Sequence, residues 1–338
     1  MDLQTLWFCI VAFLFIGYFV LDGFDFGVGM SLPFLGRDDV ARRQVINTIG
    51  PIWDLNETWV IVAGACLFAS FPEWYASLFA GFYLPLLLIL LTLIMRGVSF
   101  EYRHQRDSDR WRAGFDRMIV IGSAVPAFLW GVAFANIVHG VPLDAGHNFT
   151  GTLLTLLNPY GLLGGATTLL LFFTHGTAFV ALKTDGELRQ RAQKLGLRAG
   201  AVTIVVAAAF LIWTLIDSFS VTGAVLSALA AVALIAAVLL NAASRDGWSF
   251  AFGAAAIALA VAALFASLFP NVLPSTVDAA TNSLTIHNAS SSPYTLKIMS
   301  WAALIFLPLV LLYQGWTYWV FRKRVTRASI EKAVATAH

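Results

Sequence analysis

Four carboxylates and one arginine stand where an apolar chain can least accommodate charge. Asp22 and Asp25 are three residues apart near one end of the first apolar segment, and Asp54 and Glu57 repeat that spacing in the second. Residues three apart share a helical face, and Arg96 lies near the same end of the third segment. Ionisable groups inside a membrane-spanning segment are costly and usually functional. We therefore predict that these groups converge into one hydrated polar cluster within the first three helices.

A cluster of this kind can carry protons, because a carboxylate in a low-dielectric site can hold or release a proton near neutral pH. The residues alone leave other roles open, since the same groups could bind a cation or anchor a neighbouring subunit. A plainer interpretation is that each is an interfacial side chain that extends to water at the membrane surface. Proton transfer, cation binding and subunit anchoring all need helices that bring these groups together, whereas separate interfacial side chains do not.

The elements that position these groups are membrane helices. The chain of 338 residues is 59% hydrophobic and 12% charged, with a mean hydropathy of +0.78, whereas soluble domains carry roughly 25% charged residues. A chain this apolar cannot cover a water-facing surface, so lipid must be part of its solvent. The net charge of +2 favours no nucleic acid or other charged partner. Cys9 and Cys66 lie inside apolar runs, which is typical of buried small side chains rather than metal ligands.

Nine segments are long and apolar enough to span a membrane, which takes about 20 residues as a helix. We predict an all-α integral membrane protein with transmembrane helices at residues 6–30, 51–71, 76–100, 117–138, 160–182, 199–220, 222–243, 248–268 and 296–321. The sixth and seventh are separate helices, because Asp217, Ser218 and Gly223 mark a tight turn between them. The first four residues lack the basic region of a cleaved signal peptide, so we expect the first helix to be retained.

The charges of the loops orient these helices. With nine spans, the loops after the odd-numbered helices share one side, and that side holds all of the 21 Lys and Arg residues except Lys297. Basic loops stay on the cytoplasmic side, so we predict an external N-terminus and a cytoplasmic C-terminus. A wrong helix count would scramble the asymmetry, which therefore supports nine. The same orientation places Asp22, Asp25, Asp54 and Arg96 near the cytoplasmic end.

The histidines argue against a haem site within this chain. Membrane haems are normally held by His or Met from spanning helices, and only His175 lies well inside a predicted span. The other five histidines lie in loops or in the tail: His104, His139, His147, His287 and His338. We interpret His175 as a packing residue. The sequence also has no CxxCH, Walker, Rossmann or zinc motif, so we expect no catalytic residue, cofactor ligand or metal site in this chain.

Two tryptophans differ from the aromatic residues at the helix ends. Trp53 and Trp59 bracket Asp54 and Glu57 on the second predicted helix. Several other tryptophans of the chain lie near predicted helix ends, as an interfacial aromatic belt requires. The position of Trp53 and Trp59 fits ordinary packing and a role beside the polar pair equally well.

Two specific motifs resemble subunit II of the cytochrome bd-type quinol oxidases. They are DGFDFGVG at residues 22–29 and GPIWDLNETW at residues 50–59. Weaker stretches follow in the same order and at compatible spacing, at residues 79–83, 158–163, 269–275 and 283–285. The resemblance covers essentially the whole chain.

The resemblance implies a bacterial terminal oxidase of the cytoplasmic membrane that oxidises quinol and reduces oxygen to water. It implies two large subunits of similar fold, each with two four-helix bundles and one further helix; here these would be residues 1–138, 159–268 and 296–321. Two b-type haems, one haem d and the quinol-oxidising loop are expected in subunit I. Subunit II is expected to support haem assembly, to contribute to proton and oxygen access and to hold a structural quinone, and small single-helix subunits are expected beside the pair.

Carried over residue by residue, the resemblance assigns roles to the charged groups. Asp25 and Asp54 match carboxylates of the family's proton-uptake route, and Arg96 matches its associated arginine. Asp22 lies in the same motif as Asp25. These four residues are therefore the predicted proton pathway.

The resemblance also covers the two tryptophans, with two departures nearby. Trp59 matches a tryptophan near the family's oxygen route or quinone, and Trp53 adjoins the proton-path carboxylate. Leu55 stands where many relatives have Gly, which bears on packing and hydration. Glu57 stands where some relatives have Gln, which weakens any claim that Glu57 is required.

Two other functions compete with that of an oxidase subunit. A secondary transporter would use the buried carboxylates to bind a coupling ion, but transporters commonly have broken helices and two repeated halves, and no repeat is visible here. A purely structural assembly subunit would need no proton path. Co-purification with a haem-bearing partner distinguishes an oxidase subunit from a transporter, and substitution of Asp25 or Asp54 distinguishes a proton path from a structural role.

Overall fold

The computed structural model describes residues 2–336, so His338 lies outside the described residues. The chain is almost entirely helical. Its helices are α1 (Leu3–Leu35), α2 (Asp39–Ile49), α3 (Trp53–Ser70), α4 (Pro72–Gly81), α5 (Tyr83–Tyr102), α6 (Asp109–His139), α7 (Leu153–Leu156), α8 (Pro159–Lys183), α9 (Gly186–Asp217), α10 (Val221–Ala242), α11 (Asp246–Leu268), α12 (Ala279–Asn282), α13 (Pro293–Val320) and α14 (Arg327–Thr336). Two short strands, β1 (Asn271–Leu273) and β2 (Leu284–Thr285), pair antiparallel between α11 and α13.

The predicted membrane-spanning architecture is confirmed. Within residues 2–336, eight helices are long and apolar enough to cross a membrane, and the bent pair α2 and α3, with 44° between them, makes up to nine. The third predicted helix, residues 76–100, is instead divided at Phe82 into α4 and α5. The predicted division into two four-helix bundles stays a prediction, because α1 packs against helices of both halves, α3 and α6 as well as α8 and α11.

Several helices extend well beyond their apolar stretches. The helix α6 begins at Asp109 and α9 at Gly186, whereas hydropathy placed their starts at residues 117 and 199. The reason is that hydropathy marks only the part of a helix that contacts lipid, while polar first turns are set by capping. Ser108 illustrates this, since its hydroxyl accepts a hydrogen bond from the backbone N–H of Trp111 at 3.4 Å.

The helix α1 lies at the centre of the molecule. Its Phe15 and Phe19 contact the ring of Phe134 on α6 with centroid distances of 5.1 and 4.9 Å, at the edge-to-face angles that aromatic pairs prefer. One end of the molecule carries most of the Lys and Arg residues, and we call it the basic end. Toward this end, α1 crosses α8 where Gly27 meets Gly176, and a Cβ on Gly27 would stand 1.9 Å from the carbonyl oxygen of Phe172. Small residues at such crossings let two membrane helices approach closely.

The basic end is tied together by a buried arginine. Arg103, fully buried after α5, donates to Asp116 of α6 at 2.6 Å and to Asp39 of α2 at 2.8 Å. Arg43 also donates to Asp39, at 2.8 Å. Because a buried charge needs a partner, these contacts fix α2 against the ends of α5 and α6, and with it the start of α3.

The helix α13 is the least enclosed of the candidate spans, since only 6% of its most apolar stretch is buried. Polar contacts hold both of its ends. Trp7 donates through its indole N–H to the carbonyl of Leu296 at 3.1 Å, and Lys183 donates to the carbonyl of Lys323 at 2.9 Å. The chain then turns back, and α14 packs against α2. The ninth span is therefore tied to the rest of the chain by hydrogen bonds at both of its ends.

Candidate functional site

Asp22 and Arg96 form a fully enclosed ion pair. Asp22 lies on α1 and Arg96 on α5, and neither side chain has any exposed surface. The Arg96 Nη2 donates to Oδ1 of Asp22 at 2.9 Å. The guanidinium also lies over the rings of Phe26 and Phe100, at 4.6 and 5.7 Å from their centroids. Pairing and cation–π contact together compensate a charge that the membrane interior would otherwise exclude.

Asp25 lies one helical turn further along α1 and is also fully buried. Its Oδ2 accepts a hydrogen bond at 2.7 Å from Nδ2 of Asn56 on α3. Gln314 and Tyr318 of α13 both donate to Oδ1 of Asn56, at 2.9 and 2.8 Å. The polar cluster therefore extends beyond the first three predicted helices into the ninth.

The second predicted pair, Asp54 and Glu57, is divided between two environments. Glu57 is half-buried, and its Oε2 is enclosed near the cluster. Asp54 is exposed in the first turn of α3, so the prediction of a single cluster is wrong for Asp54. The physical reason is that α3 begins only at Trp53, where the chain bends, so Asp54 lies at the open end of the helix.

Several polar atoms inside the cluster have unused hydrogen-bonding capacity. Oδ2 of Asp22, Oδ1 of Asp25, Oε2 of Glu57, and Nε and Nη1 of Arg96 are all buried without a hydrogen-bond partner among residues 2–336. Buried polar atoms are nearly always hydrogen-bonded, and internal water is their usual partner where protein groups are lacking. The arrangement thus suits water and proton binding between the two carboxylates.

Trp59 and Trp53 line two different cavities. Trp59 is buried, and its indole N–H points toward Oε1 of Gln314 at 3.5 Å. It lines an apolar cavity of about 290 Å³ between α1, α3 and α13. Trp53 is half-buried beside Phe100, at 5.2 Å between ring centroids, and lines a cavity of about 1010 Å³ at the basic end.

His175 does not fit a haem. Its ring stacks on Phe250 at 4.5 Å between centroids with an interplanar angle of 5°. The cavity beside it measures about 20 Å³, which is room for roughly one water molecule and far less than a porphyrin needs. Within residues 2–336, no group of three or more His, Cys, Asp or Glu side chains could hold a metal ion.

Sequence reasoning missed Asn56, Gln314 and Tyr318 as members of the site. Asn56 lies within the motif GPIWDLNETW but carries no charge. Gln314 and Tyr318 lie in the ninth predicted helix, to which no site residue was assigned. A signal existed, since an amide inside a spanning segment needs a hydrogen-bond partner within the protein. Searching for uncharged polar residues as well as for charges would have found Asn56 and Gln314.

Comparison with known proteins supports the resemblance seen in the motifs. A sequence model of the family described as cytochrome bd terminal oxidase subunit II matches residues 3–321. The cytochrome bd ubiquinol oxidase subunit 2 of Bacillus subtilis (strain 168) is 43% identical over 330 residues, covering 96% of this chain and 97% of that protein. The cytochrome bd-I ubiquinol oxidase subunit 2 of Escherichia coli (strain K12) is 35% identical over 368 residues, covering 98% and 97%.

A solved structure shares the fold. A chain of the bd oxidase from Geobacillus thermodenitrificans superimposes with a TM-score of 0.75 at 16% identity, covering 96% of this chain and 100% of that one. At this identity the likeness concerns the fold alone, and the sequence comparisons carry the assignment. With the family match spanning almost every helix, this chain belongs to the subunit II family of the cytochrome bd terminal oxidases.

Proposed function

We propose that this chain is the haem-free large subunit of its quinol oxidase and provides the access route for protons. Family membership makes it a membrane-embedded subunit of a quinol-oxidising oxidoreductase complex, which removes the transporter alternative. Two b-type haems and one haem d would reside in a partner subunit I, where quinol is oxidised and oxygen is reduced to water. Small single-helix subunits and membrane lipids would complete the assembly.

The observation that carries the proton role is the state of Asp25. Its carboxylate is fully buried, with one oxygen held by Asn56 and the other without a hydrogen-bond partner among residues 2–336. The guanidinium of Arg96 is already paired with Asp22. A buried carboxylate that has no ion-pair contact of its own can shed its charge by taking up a proton, and so Asp25 is suited to receive and pass on protons.

Asp54 has a different part in this proposal. Its exposed carboxylate lies in the first turn of α3, near the basic end of the molecule. We assign Asp54 to the entrance of the proton path, where it collects protons from water, and Asp25 to a buried position further along the path. This order requires the basic end to face the cytoplasm and the N-terminus to face outward, as the basic loops predict.

Trp59 supports an access route for a small apolar molecule. The cavity of about 290 Å³ beside it is lined almost entirely by apolar side chains. Oxygen enters such a space more readily than a water molecule, because the apolar walls offer water few hydrogen bonds. We propose that this cavity is occupied by oxygen on its way to subunit I. The competing occupant is the isoprenoid chain of a structural quinone. Trp53 lines the separate cavity at the basic end.

The proton role is tested by replacing Asp25 and Asp54 with Asn in the intact complex. Asp25→Asn is expected to assemble with full haem content, seen as b- and d-type bands in the optical spectrum, but to slow proton uptake coupled to oxygen reduction. Asp54→Asn is expected to slow uptake less, because water can still reach the entrance. Normal proton uptake in both variants would leave a structural subunit as the better description.

A further inference from the structure

Asn56 connects the ninth span to the buried Asp25. Its side chain is fully buried, and three hydrogen bonds converge on it from two other helices. Oδ1 accepts from Nε2 of Gln314 at 2.9 Å and from the hydroxyl of Tyr318 at 2.8 Å, and Nδ2 donates to Asp25 at 2.7 Å. An amide in this position has little freedom to move.

The two donors from α13 also decide which way the amide faces. An amide oxygen accepts hydrogen bonds and an amide nitrogen donates them, so two donors on one side require the oxygen there. The nitrogen must then face Asp25 and can only donate to it. Removing both donors would allow the amide to turn over and place an oxygen against the carboxylate.

A carboxamide donates and accepts hydrogen bonds but does not titrate near neutral pH. Asn56 is therefore suited to hold Asp25 rather than to carry protons itself. It occupies Oδ2 of Asp25 and leaves Oδ1 free. We propose that Asn56, oriented by Gln314 and Tyr318, is a positioning residue that presents Oδ1 of Asp25 to the proton path. This inference rests on the proposed proton role of Asp25.

The surroundings of Asp25 support this division of labour. Asp22 on α1, Arg96 on α5 and Glu57 on α3 are the charged groups that act on it, and the Tyr318 phenol of α13 interacts with it as well. Within the described part of the chain, Asn56 alone makes a hydrogen bond to its carboxylate.

The ninth span also lines the large cavity at the basic end. Tyr318 lines the cavity of about 1010 Å³ at the basic end, together with Trp53 and Lys183. One side chain of α13 thus contacts both this cavity and the amide that holds Asp25. The two donors of α13 therefore link the position of this helix to the carboxylate of Asp25 through Asn56.

The test compares Gln314→Leu/Tyr318→Phe with the matched control Thr317→Val, all in the purified oxidase complex. Thr317 is buried on the same helix but donates only to the carbonyl of Tyr313 within α13, at 3.0 Å. The readouts are haem content, proton uptake, and the infrared carbonyl band of Asp25, assigned by its disappearance in Asp25→Asn. A band that moves reports a changed hydrogen bond on Asp25 itself.

The double variant is expected to keep its haems, shift the Asp25 band and slow proton uptake about 10- to 100-fold, the scale of a misplaced catalytic group. Thr317→Val should match the unmodified complex in all three readouts. If the double variant does not assemble, Tyr318→Phe alone must still shift the band, by a smaller amount. An unshifted band in the assembled variants overturns the inference, whereas normal proton uptake in Asp25→Asn overturns the proposed function and leaves the band result standing.

Discussion

At the scale of single residues, the two buried aspartates of α1 differ in their partners. Asp22 faces a guanidinium and Asp25 faces an amide. A buried ion pair adds little net stability compared with apolar packing, but removing one partner leaves an uncompensated buried charge. Once Asp22 is present, Arg96 cannot be lost without a large cost in stability. Stability does not explain why the two charges are buried there at all, and a functional role does.

A first prediction follows for this pair. Asp22→Asn should destabilise the protein by about 3–5 kcal/mol, because it leaves Arg96 charged and unpaired inside the membrane. The double variant Asp22→Asn/Arg96→Met should be more stable than the single one, since it removes both charges. Thermal unfolding in detergent, followed by tryptophan fluorescence, measures the order of the two.

Asp54→Asn is the matched control, because Asp54 is exposed on the same side of the molecule. It should change the unfolding temperature little, as most surface substitutions do. A double variant less stable than Asp22→Asn would show that the charge of Arg96 is compensated by groups other than Asp22.

At the scale of elements, the crossing of α1 and α8 depends on paired glycines. A Cβ on Gly176 would stand 2.3 Å from the carbonyl carbon of Gly27, and one on Gly27 would meet the Phe172 backbone at 1.9 Å. Both neighbours are backbone, which cannot rotate away as a side chain can. The two helices can therefore keep this distance only without side chains at the crossing.

The second prediction is that Gly27→Ala destabilises the protein by at least about 1–3 kcal/mol, the usual cost of overpacking, and lowers the yield of assembled complex. Gly114→Ala is the control, because nothing lies within 4 Å of its added Cβ and alanine favours the helix by about 1 kcal/mol. The two variants should therefore shift the unfolding temperature in opposite directions. Equal effects would mean that the α1–α8 spacing relaxes easily.

The return of the tail over α2 depends on an aspartate at the membrane surface. Asp38 caps α2 by accepting from the backbone N–H of Ala41 at 2.7 Å, and it pairs with Arg327 at the start of α14 at 3.0 Å. The amide of Ala41 is the main cause that lowers the pKa of Asp38, and the hydrogen bond and charge of Arg327 lower it further. The folded protein therefore favours the ionised form.

The third prediction concerns pH. A carboxyl with a lowered folded-state pKa contributes stability above its unfolded pKa of about 3.9, and the contribution is lost as pH falls through the folded value. Docking of α14 should hence weaken below about pH 4. A spin label on Ala328→Cys should become more mobile there, and Asp38→Asn, which keeps a capping side chain but loses the ion pair, should be mobile already at pH 7. Unchanged mobility in Asp38→Asn would rule out this anchor.

At the scale of the whole molecule, the distribution of charge predicts the orientation in the membrane. The buried arginine Arg103 and the basic tail lie at the same end as the Asp25 cluster. The other end is closed by the loops around β1 and β2, where Val141 bridges to Ser275 and Ser77 donates to the carbonyl of His147 at 2.7 Å. The two ends therefore differ in chemistry as well as in net charge.

The fourth prediction is that the tail faces the cytoplasm. With Cys9 and Cys66 replaced by Ser, a membrane-impermeant thiol reagent should label Ala280→Cys in intact spheroplasts. Ala328→Cys should react only after the membrane is permeabilised, because basic segments stay on the cytoplasmic side. The reverse pattern would place the Asp25 cluster at the outer end and contradict the assigned direction of proton uptake.

Much of the fold was predictable because the membrane restricts the choice. With no water to satisfy the backbone, spanning segments must be helices, so hydropathy located most of the spans. It missed the break at Phe82, the helix α2 with its bend into α3, and the polar helix extensions. The Asp22, Asp25 and Arg96 cluster was predictable from residue type and spacing. The exposure of Asp54 was not, because it depends on where α3 begins and how the chain bends there.

The sequence by itself determined that this is a helical membrane protein, where most of its spans lie and which charged residues stand inside them. Composition and hydropathy are local properties of the chain. They predict helices directly, because a segment inside the membrane must satisfy its own backbone hydrogen bonds. Only the tertiary structure decided what each charge meets. Asn56 and Gln314 are 258 residues apart, and their contact depends on how α13 packs against α3, which no local pattern encodes. The cluster first identified from four carboxylates and an arginine is therefore completed by uncharged side chains of the ninth span.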